Sequence, residues 1–131
     1  MLDERARGAH DRFERLDHLR VHRGVQPAAS EQMRRQNDLV VLDVREKDAY
    51  DAAHVPGAKH LPRGQLELRI NEVLPDPTAR VITVCEFGKI STLAAATLRD
   101  LGFLRATALD GGMKAWRDGG FPVEPLAAAG N

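Results

Sequence analysis

The stretch Arg80-Val81-Ile82-Thr83-Val84-Cys85-Glu86-Phe87-Gly88-Lys89-Ile90-Ser91 decides how this chain is read. Its first five residues, RVITV, are almost all β-branched, with no alternation of polar side chains. That pattern suits a strand covered on both faces. From Ser91 to Leu101 the sequence STLAAATLRDL is rich in strong helix formers, and Gly102 stands where a helix would stop. Between strand and helix lies a short loop headed by the one cysteine of the chain. The thiol is thereby placed at the carboxyl end of a central strand and beside a helix N-terminus. Sites in open α/β sheets form at the carboxyl ends of strands. A helix N-terminus supplies unpaired N–H groups and a positive dipole end, which favour a thiolate or another anion. Gly88 allows the loop to curl with successive N–H groups turned inward. The plainer reading is a buried core cysteine, a common place for free thiols.

Working outward, Leu39 to Val44 (LVVLDV) is a second apolar run and a second buried strand. Ser30 opens a short polar helical stretch through Gln36, and Glu46 to Ala53 is a further helix. His54-Val55-Pro56-Gly57 is a turn, Ala58 to Leu61 a short strand, and Gln65 to Leu74 a helix ended by Pro75-Asp76-Pro77. Thr107 to Leu109 is a last strand, and Gly111-Gly112 leads into a helix around Trp116. Buried strands alternating with helices predict an α/β fold with a largely parallel sheet. Residues 1–22 form an N-terminal helical extension, 23–125 the domain, and 126–131 a flexible tail. In the extension Phe13, Leu16 and Leu19 recur at three-residue spacing among charges of alternating sign. It lays a narrow apolar stripe on the domain, or offers one to a second copy or a partner protein. His18 and His22 are one helical turn apart, but no further ligand accompanies them, so no metal is expected.

The chain has 131 residues, enough for one domain with a real core. Nineteen Lys and Arg balance nineteen Asp and Glu, for a formal charge of zero. Neither nucleic acid nor an anionic membrane is the expected partner, since both call for a basic surface. No apolar run approaches the ~20 residues of a membrane span. The charged start Met1-Leu2-Asp3-Glu4-Arg5 lacks the apolar core of a signal peptide. One cysteine excludes an internal disulfide, and a cytoplasmic protein is expected.

Four segments in order resemble the single-domain rhodaneses of the sulfurtransferase superfamily. Leu42-Asp43-Val44-Arg45-Glu46 resembles the first signature, LDVRE. Glu46, then His54-Val55-Pro56-Gly57-Ala58, resembles an E-x-x-x-x-H-I-P-G-A segment with wider spacing. Cys85 to Ile90 has the six-residue loop with Gly88 in fourth place. Leu109-Asp110-Gly111-Gly112-Met113 with Trp116, then Gly119-Gly120-Phe121-Pro122-Val123, resembles the closing G-G-x-x-x-W and G-x-P-V pattern. The resemblance runs from about Val25 to Glu124. It implies a rhodanese-like α/β domain with a mostly parallel five-stranded sheet flanked by helices. It also implies that Cys85 takes a sulfane sulfur from a small sulfur-containing donor, becomes a persulfide, and passes the sulfur to a thiophilic acceptor such as cyanide or a thiol. No cofactor is implied. A non-catalytic module or sulfur carrier with the same fold is the alternative.

On either reading, backbone N–H groups from Glu86, Phe87, Gly88, Lys89, Ile90 and Ser91 are the expected anion cradle, with the Ser91 hydroxyl capping the following helix. Many members of the family carry Arg at the sixth loop position, where this chain has Ile90, with a cation one step earlier at Lys89. Lys is a point charge and does not fork two sulfonate oxygens as Arg does, so sulfur transfer is better supported than thiosulfate as donor. Cysteine phosphatases place their phosphate-binding Arg one position further on, where this chain has Ser91, so a phosphate dianion would be poorly held. Asp43 and Arg45, at the end of the first strand, shape the pocket rim or form a structural ion pair. Glu86 opposes an anion unless it points outward. Phe87 makes an apolar lip or packs inward. His54 is expected to brace its turn and Trp116 to fill the core.

Overall fold

Four short parallel strands form the sheet, in the order β2-β1-β3-β4. The computed structural model describes residues 24–125. Within them the chain runs α1 (Pro27–Arg35), β1 (Val40–Asp43), α2 (Lys47–Ala52), β2 (Lys59–His60), a 3-10 turn (Arg63–Gln65), α3 (Leu66–Val73), β3 (Val81–Val84), α4 (Lys89–Asp100), β4 (Ala106–Ala108) and α5 (Gly112–Asp118). β1 pairs with β3 from Val40 opposite Val81 to Asp43 opposite Val84. On the far side of β3, Val81 to Thr83 pair with Ala106 to Ala108. Every residue of β3 is buried, as its unbroken apolar pattern predicts.

The two-residue period of the strands divides the core into two layers. Leu42, Val44 and Val81 face Leu66 and Ile70 of α3 and Ala94, Ala95 and Leu98 of α4. Val41, Ile82 and Val84 face the other way, onto Val55, Leu109 and, from α5, Met113 and Trp116. Trp116 is core, as expected, and its indole N–H donates to the Pro122 carbonyl at 2.7 Å. α4 stops where Gly102 stands: Gly102 N–H donates to Arg99 O, and Phe103 N–H reaches back to Leu98 O. Both Leu98 and Phe103 are buried, completing the apolar contact that accompanies this kind of helix end.

Three expectations need correction. The sheet has four strands among the described residues, not five. Where a fifth would lie, the chain makes a single parallel bridge, Val25 to Leu109. Its two hydrogen bonds are Val25 N–H to Ala108 O at 2.7 Å and Asp110 N–H to Val25 O at 2.9 Å. Pro27 follows two positions later, has no N–H to extend a ladder, and opens α1 three residues before Ser30. α4 begins at Lys89, two residues before the predicted start. Its N-cap is Gly88 at φ +103°, so Ser91 lies inside the first turn and does not cap the helix. The extension 1–22 and the tail 126–131, with the His18 and His22 pair, lie outside the described residues.

Leu98 joins α4 to both the sheet and Phe103. Leu98→Ala is expected to cost about 2–5 kcal/mol, from lost transfer energy plus the cavity left behind. Urea unfolding would show this as a lower midpoint at unchanged slope.

Candidate functional site

β3 ends at Val84, and the chain turns at Cys85 into the loop that leads to α4. The Cys85 side chain is 4% exposed and free. Its Sγ accepts N–H groups from Gly88 at 3.1 Å and from Ser91 at 3.2 Å, and lies 3.3 Å from Ser91 Oγ. The two N–H donors come from the cap and the first turn of α4. They are groups a helix leaves without an internal partner. The Ser91 hydroxyl is itself turned onto the Gly88 carbonyl at 3.1 Å, where the Thr92 hydroxyl also donates at 2.7 Å. Ser91 is fixed from below as well, because the buried Thr83 hydroxyl of β3 donates to the Ser91 carbonyl.

What shapes the loop is the start of α5. Met113 N–H donates to the Cys85 carbonyl at 2.9 Å and Lys114 N–H to the Glu86 carbonyl at 3.0 Å. The loop carbonyls thus occupy the open N–H groups of α5. The approach is so close that a Cβ on Gly112 would sit 2.5 Å from the Cys85 oxygen and 2.6 Å from the Glu86 oxygen. Gly112 also has φ +63°, a conformation side chains disfavour. The sequence signal was the Gly111-Gly112 pair, read above as the lead into a helix and as part of a motif. The close approach explains the second glycine.

Asp43 and Arg45 form a buried bidentate pair. Arg45 Nε donates to Asp43 Oδ1 at 3.0 Å and Nη2 to Oδ2 at 2.8 Å, while the Arg45 backbone N–H also meets Oδ1. Arg45 goes on to the Ala53 carbonyl at 2.5 Å and to Glu86 Oε1 at 3.3 Å. Burial alone would lower the guanidinium pKa. Hydrogen bonding to Asp43 and the charges of Asp43 and Glu86 more than offset it, so Arg45 is held above the ordinary arginine value. Glu86 also receives Arg117 of α5. The structure therefore puts Asp43 and Arg45 beneath the loop, as its support, and the Glu86 carboxylate between two guanidinium groups. Sequence reasoning missed Arg117, since nothing in its spacing points back to the loop.

The remaining loop side chains face outward. Phe87 is 67% and Ile90 53% exposed, and Lys89 is exposed too. Beside them a cavity of about 480 Å³ is lined by Gly24, Phe87, Gly88, Lys89, Thr92, Leu93 and Leu109 to Gly111. His54 braces its turn, with Nδ1 2.7 Å from the Tyr50 carbonyl and its ring stacked on Tyr50. His60 stacks on the same Tyr50, and its Nε2 lies 2.8 Å from the Arg45 carbonyl. Arg63, at the start of the 3-10 turn, donates to Glu67 and Thr97. Among the described residues no group of three His, Cys, Asp or Glu could hold a metal ion, and no helix is long and apolar enough to cross a membrane.

A parallel α/β sheet carrying a lone thiol at the end of its central strand, inside a short loop running into a helix, defines a narrow class of domain. The rhodanese-like domain family matches residues 26–118, and the chain belongs to that family. It is 33% identical over 105 residues to the thiosulfate sulfurtransferase GlpE of Pseudomonas putida (strain GB-1), covering 80% of this chain and 93% of that one. It is 37% identical over 78 residues to the putative sulfur carrier protein YrkF of Bacillus subtilis (strain 168), covering 60% of this chain but only 41% of that longer protein. The structure superposes on a thiosulfate sulfurtransferase from Pseudomonas aeruginosa with a TM-score of 0.73 at 27% identity, covering 87% of this chain and 22% of that one.

Removing Arg45 leaves Asp43, which is fully buried, without its partner. Arg45→Met is expected to cost about 3–5 kcal/mol, whereas the double variant Asp43→Leu/Arg45→Met recovers most of that loss. Chemical denaturation of the two proteins checks this.

Proposed function

We propose that the protein is a rhodanese-type sulfurtransferase that works through a persulfide on Cys85. The observation that carries this reading is the pair of backbone N–H groups, Gly88 and Ser91, directed at Sγ. In the first half-reaction the deprotonated Sγ attacks the outer sulfur of a donor such as thiosulfate. The Sγ–S bond forms, the donor S–S bond breaks, and sulfite leaves with the bonding electron pair. In the second, cyanide or a thiolate attacks the terminal sulfur, and Sγ leaves as the thiolate. Each half-reaction keeps sulfur-borne negative charge in the loop. Preorganised N–H donors serve such charge without having to reorient. Glu86 does not oppose the reaction, since Arg45 and Arg117 neutralise it. The names of the GlpE and Pseudomonas aeruginosa relatives point the same way.

A second reading, a sulfur carrier that delivers its persulfide to another protein, draws on the exposed apolar side chains of Phe87 and Ile90 and on the name of the YrkF relative. Both readings require sulfur on Cys85. They differ in whether a small acceptor removes it with turnover.

The decisive test is intact mass after treatment with thiosulfate and, separately, with a polysulfide. Gain of one sulfur atom, reversed by cyanide and lost in Cys85→Ser, is the expected result. No gain from either donor in the folded protein would overturn both readings. Loading without catalytic turnover to cyanide would favour the carrier. Ile90→Arg restores the forked cation at an exposed position and is expected to raise kcat/KM for thiosulfate about tenfold, equivalent to roughly 1.4 kcal/mol. Initial rates of thiocyanate formation measure that.

A further inference from the structure

Ser91 is fully buried. Among the described residues its hydroxyl has two hydrogen-bonding neighbours, Cys85 Sγ at 3.3 Å and the Gly88 carbonyl at 3.1 Å. A hydroxyl carries one proton, so it donates to one neighbour at a time. While the thiol is protonated, Sγ–H donates to Ser91 Oγ, and the Ser91 O–H donates to Gly88 O. A thiolate has no proton to give, and its charge calls for a donor in return. The same Sγ–Oγ approach serves both directions. The change needs only rotation of the Ser91 O–H about its C–O bond.

Gly88 O decides whether that rotation leaves a gap behind. The carbonyl has two lone pairs and three donors: Thr92 N–H at 3.1 Å, the Thr92 hydroxyl at 2.7 Å and the Ser91 hydroxyl at 3.1 Å. One donor is therefore surplus. When the Ser91 proton turns to sulfur, Thr92 still fills both acceptor sites, and no unpaired carbonyl results. The shortest of the three bonds is the one from the Thr92 hydroxyl, so the donor most readily given up is not that one.

We propose that Ser91 is a further catalytic residue, whose hydroxyl turns from the Gly88 carbonyl to Cys85 Sγ when the thiol ionises, and that Thr92 is the positioning residue that releases it. The thiol proton goes to bulk water, and Sγ keeps the electron pair. The thiolate then meets three donors, the N–H of Gly88 and both the N–H and the O–H of Ser91. To the backbone cradle this adds one side-chain donor that follows the charge on the sulfur. Its use in turnover rests on the sulfur transfer proposed above. There the Sγ–S bond breaks with its electron pair left on Sγ as the bond from sulfur to the acceptor forms, and the Ser91 proton turns to meet the returning charge. The switch itself requires only a thiol that ionises.

Alkylation by iodoacetamide, with no sulfur donor present, tests the switch apart from sulfur transfer. Only the thiolate reacts. An ordinary thiol is mostly protonated at pH 6 and mostly ionised at pH 10. Ser91→Ala is expected to react about fivefold more slowly than the unaltered protein at pH 6, because a hydrogen bond to a charged group is lost. At pH 10 it should match or exceed the unaltered protein, since a thiolate with one donor fewer is the stronger nucleophile. Ser91→Thr restores a hydroxyl and should recover most of the pH 6 rate. Thr92→Val leaves Gly88 O with one donor from residue 92, which holds the Ser91 proton there and should slow the pH 6 reaction about twofold. An unchanged pH 6 rate in Ser91→Ala would overturn the proposal. So would equal slowing at both pH values, which marks a disturbed loop and not a lost donor. If Ser91→Ala does not fold, Thr92→Val carries the test, and a rate equal to that of the unaltered protein at pH 6 overturns it. Sulfur loading is scored separately by intact mass. Failure there with the alkylation pattern intact would strike sulfur transfer and leave the switch standing.

Discussion

Two backbone hydrogen bonds hold the Cys85 loop in its shape: Met113 N–H to the Cys85 carbonyl and Lys114 N–H to the Glu86 carbonyl. A peptide unit is planar and trans, so its C=O and N–H point in opposite directions. Drawing these two carbonyls onto α5 turns the N–H groups of Glu86 and Phe87 away from that helix. The loop then passes through Gly88 in a left-handed conformation and enters α4, where the N–H groups of Gly88 and Ser91 meet the sulfur. One helix start accepts the carbonyl side of the loop while another supplies N–H donors to its interior. The condition is contact between α5 and the loop that no Cβ permits, which is met by Gly112.

Charge around the thiol follows from the same packing. Asp43, Arg45, Glu86 and Arg117 form a chain of alternating sign that runs from the end of β1, through the loop, to α5. Two acids and two guanidinium groups cancel. The network therefore fixes the geometry of the loop while adding no net charge beside the sulfur. What remains positive there is the start of α4 and the exposed ammonium of Lys89. A carboxylate in the loop, which in isolation would disfavour an anion, is compatible with anion binding because its charge is already answered.

How much of this could be read from the sequence varies with the range of the interaction. β3, β1 and α4 were legible because each is strongly patterned over its own length, and Gly102 marked the end of α4. Cys85 was legible as a candidate because strand, loop and helix adjoin in sequence. Residues that act across the fold left weaker traces. Arg117 meets Glu86 across 31 positions, and no spacing rule relates them. The fifth strand failed for a local reason that pattern could not outweigh: one bridging residue, Val25, lies two positions before a proline that starts a helix. The capping role given to Ser91 followed from a helix start placed two residues too late. Gly88 takes the cap in a left-handed conformation, which leaves Ser91 N–H for the sulfur.

That assignment bears on how the site would choose its substrates. Because the sulfur is met by backbone N–H groups, the cradle belongs to the shape of the loop and not to any one side chain. Such donors recognise a negative sulfur but say little about the group attached to it. In a loop with a forked cation at its sixth place, a sulfonate would be held by that side chain. Here the place is Ile90, and its side chain stands in solvent beside Phe87. Lys89 supplies charge without a fork. On the proposed sulfur-transfer reading, discrimination among donors would therefore rest on the apolar surface at the edge of the loop and not on a forked cation at that place.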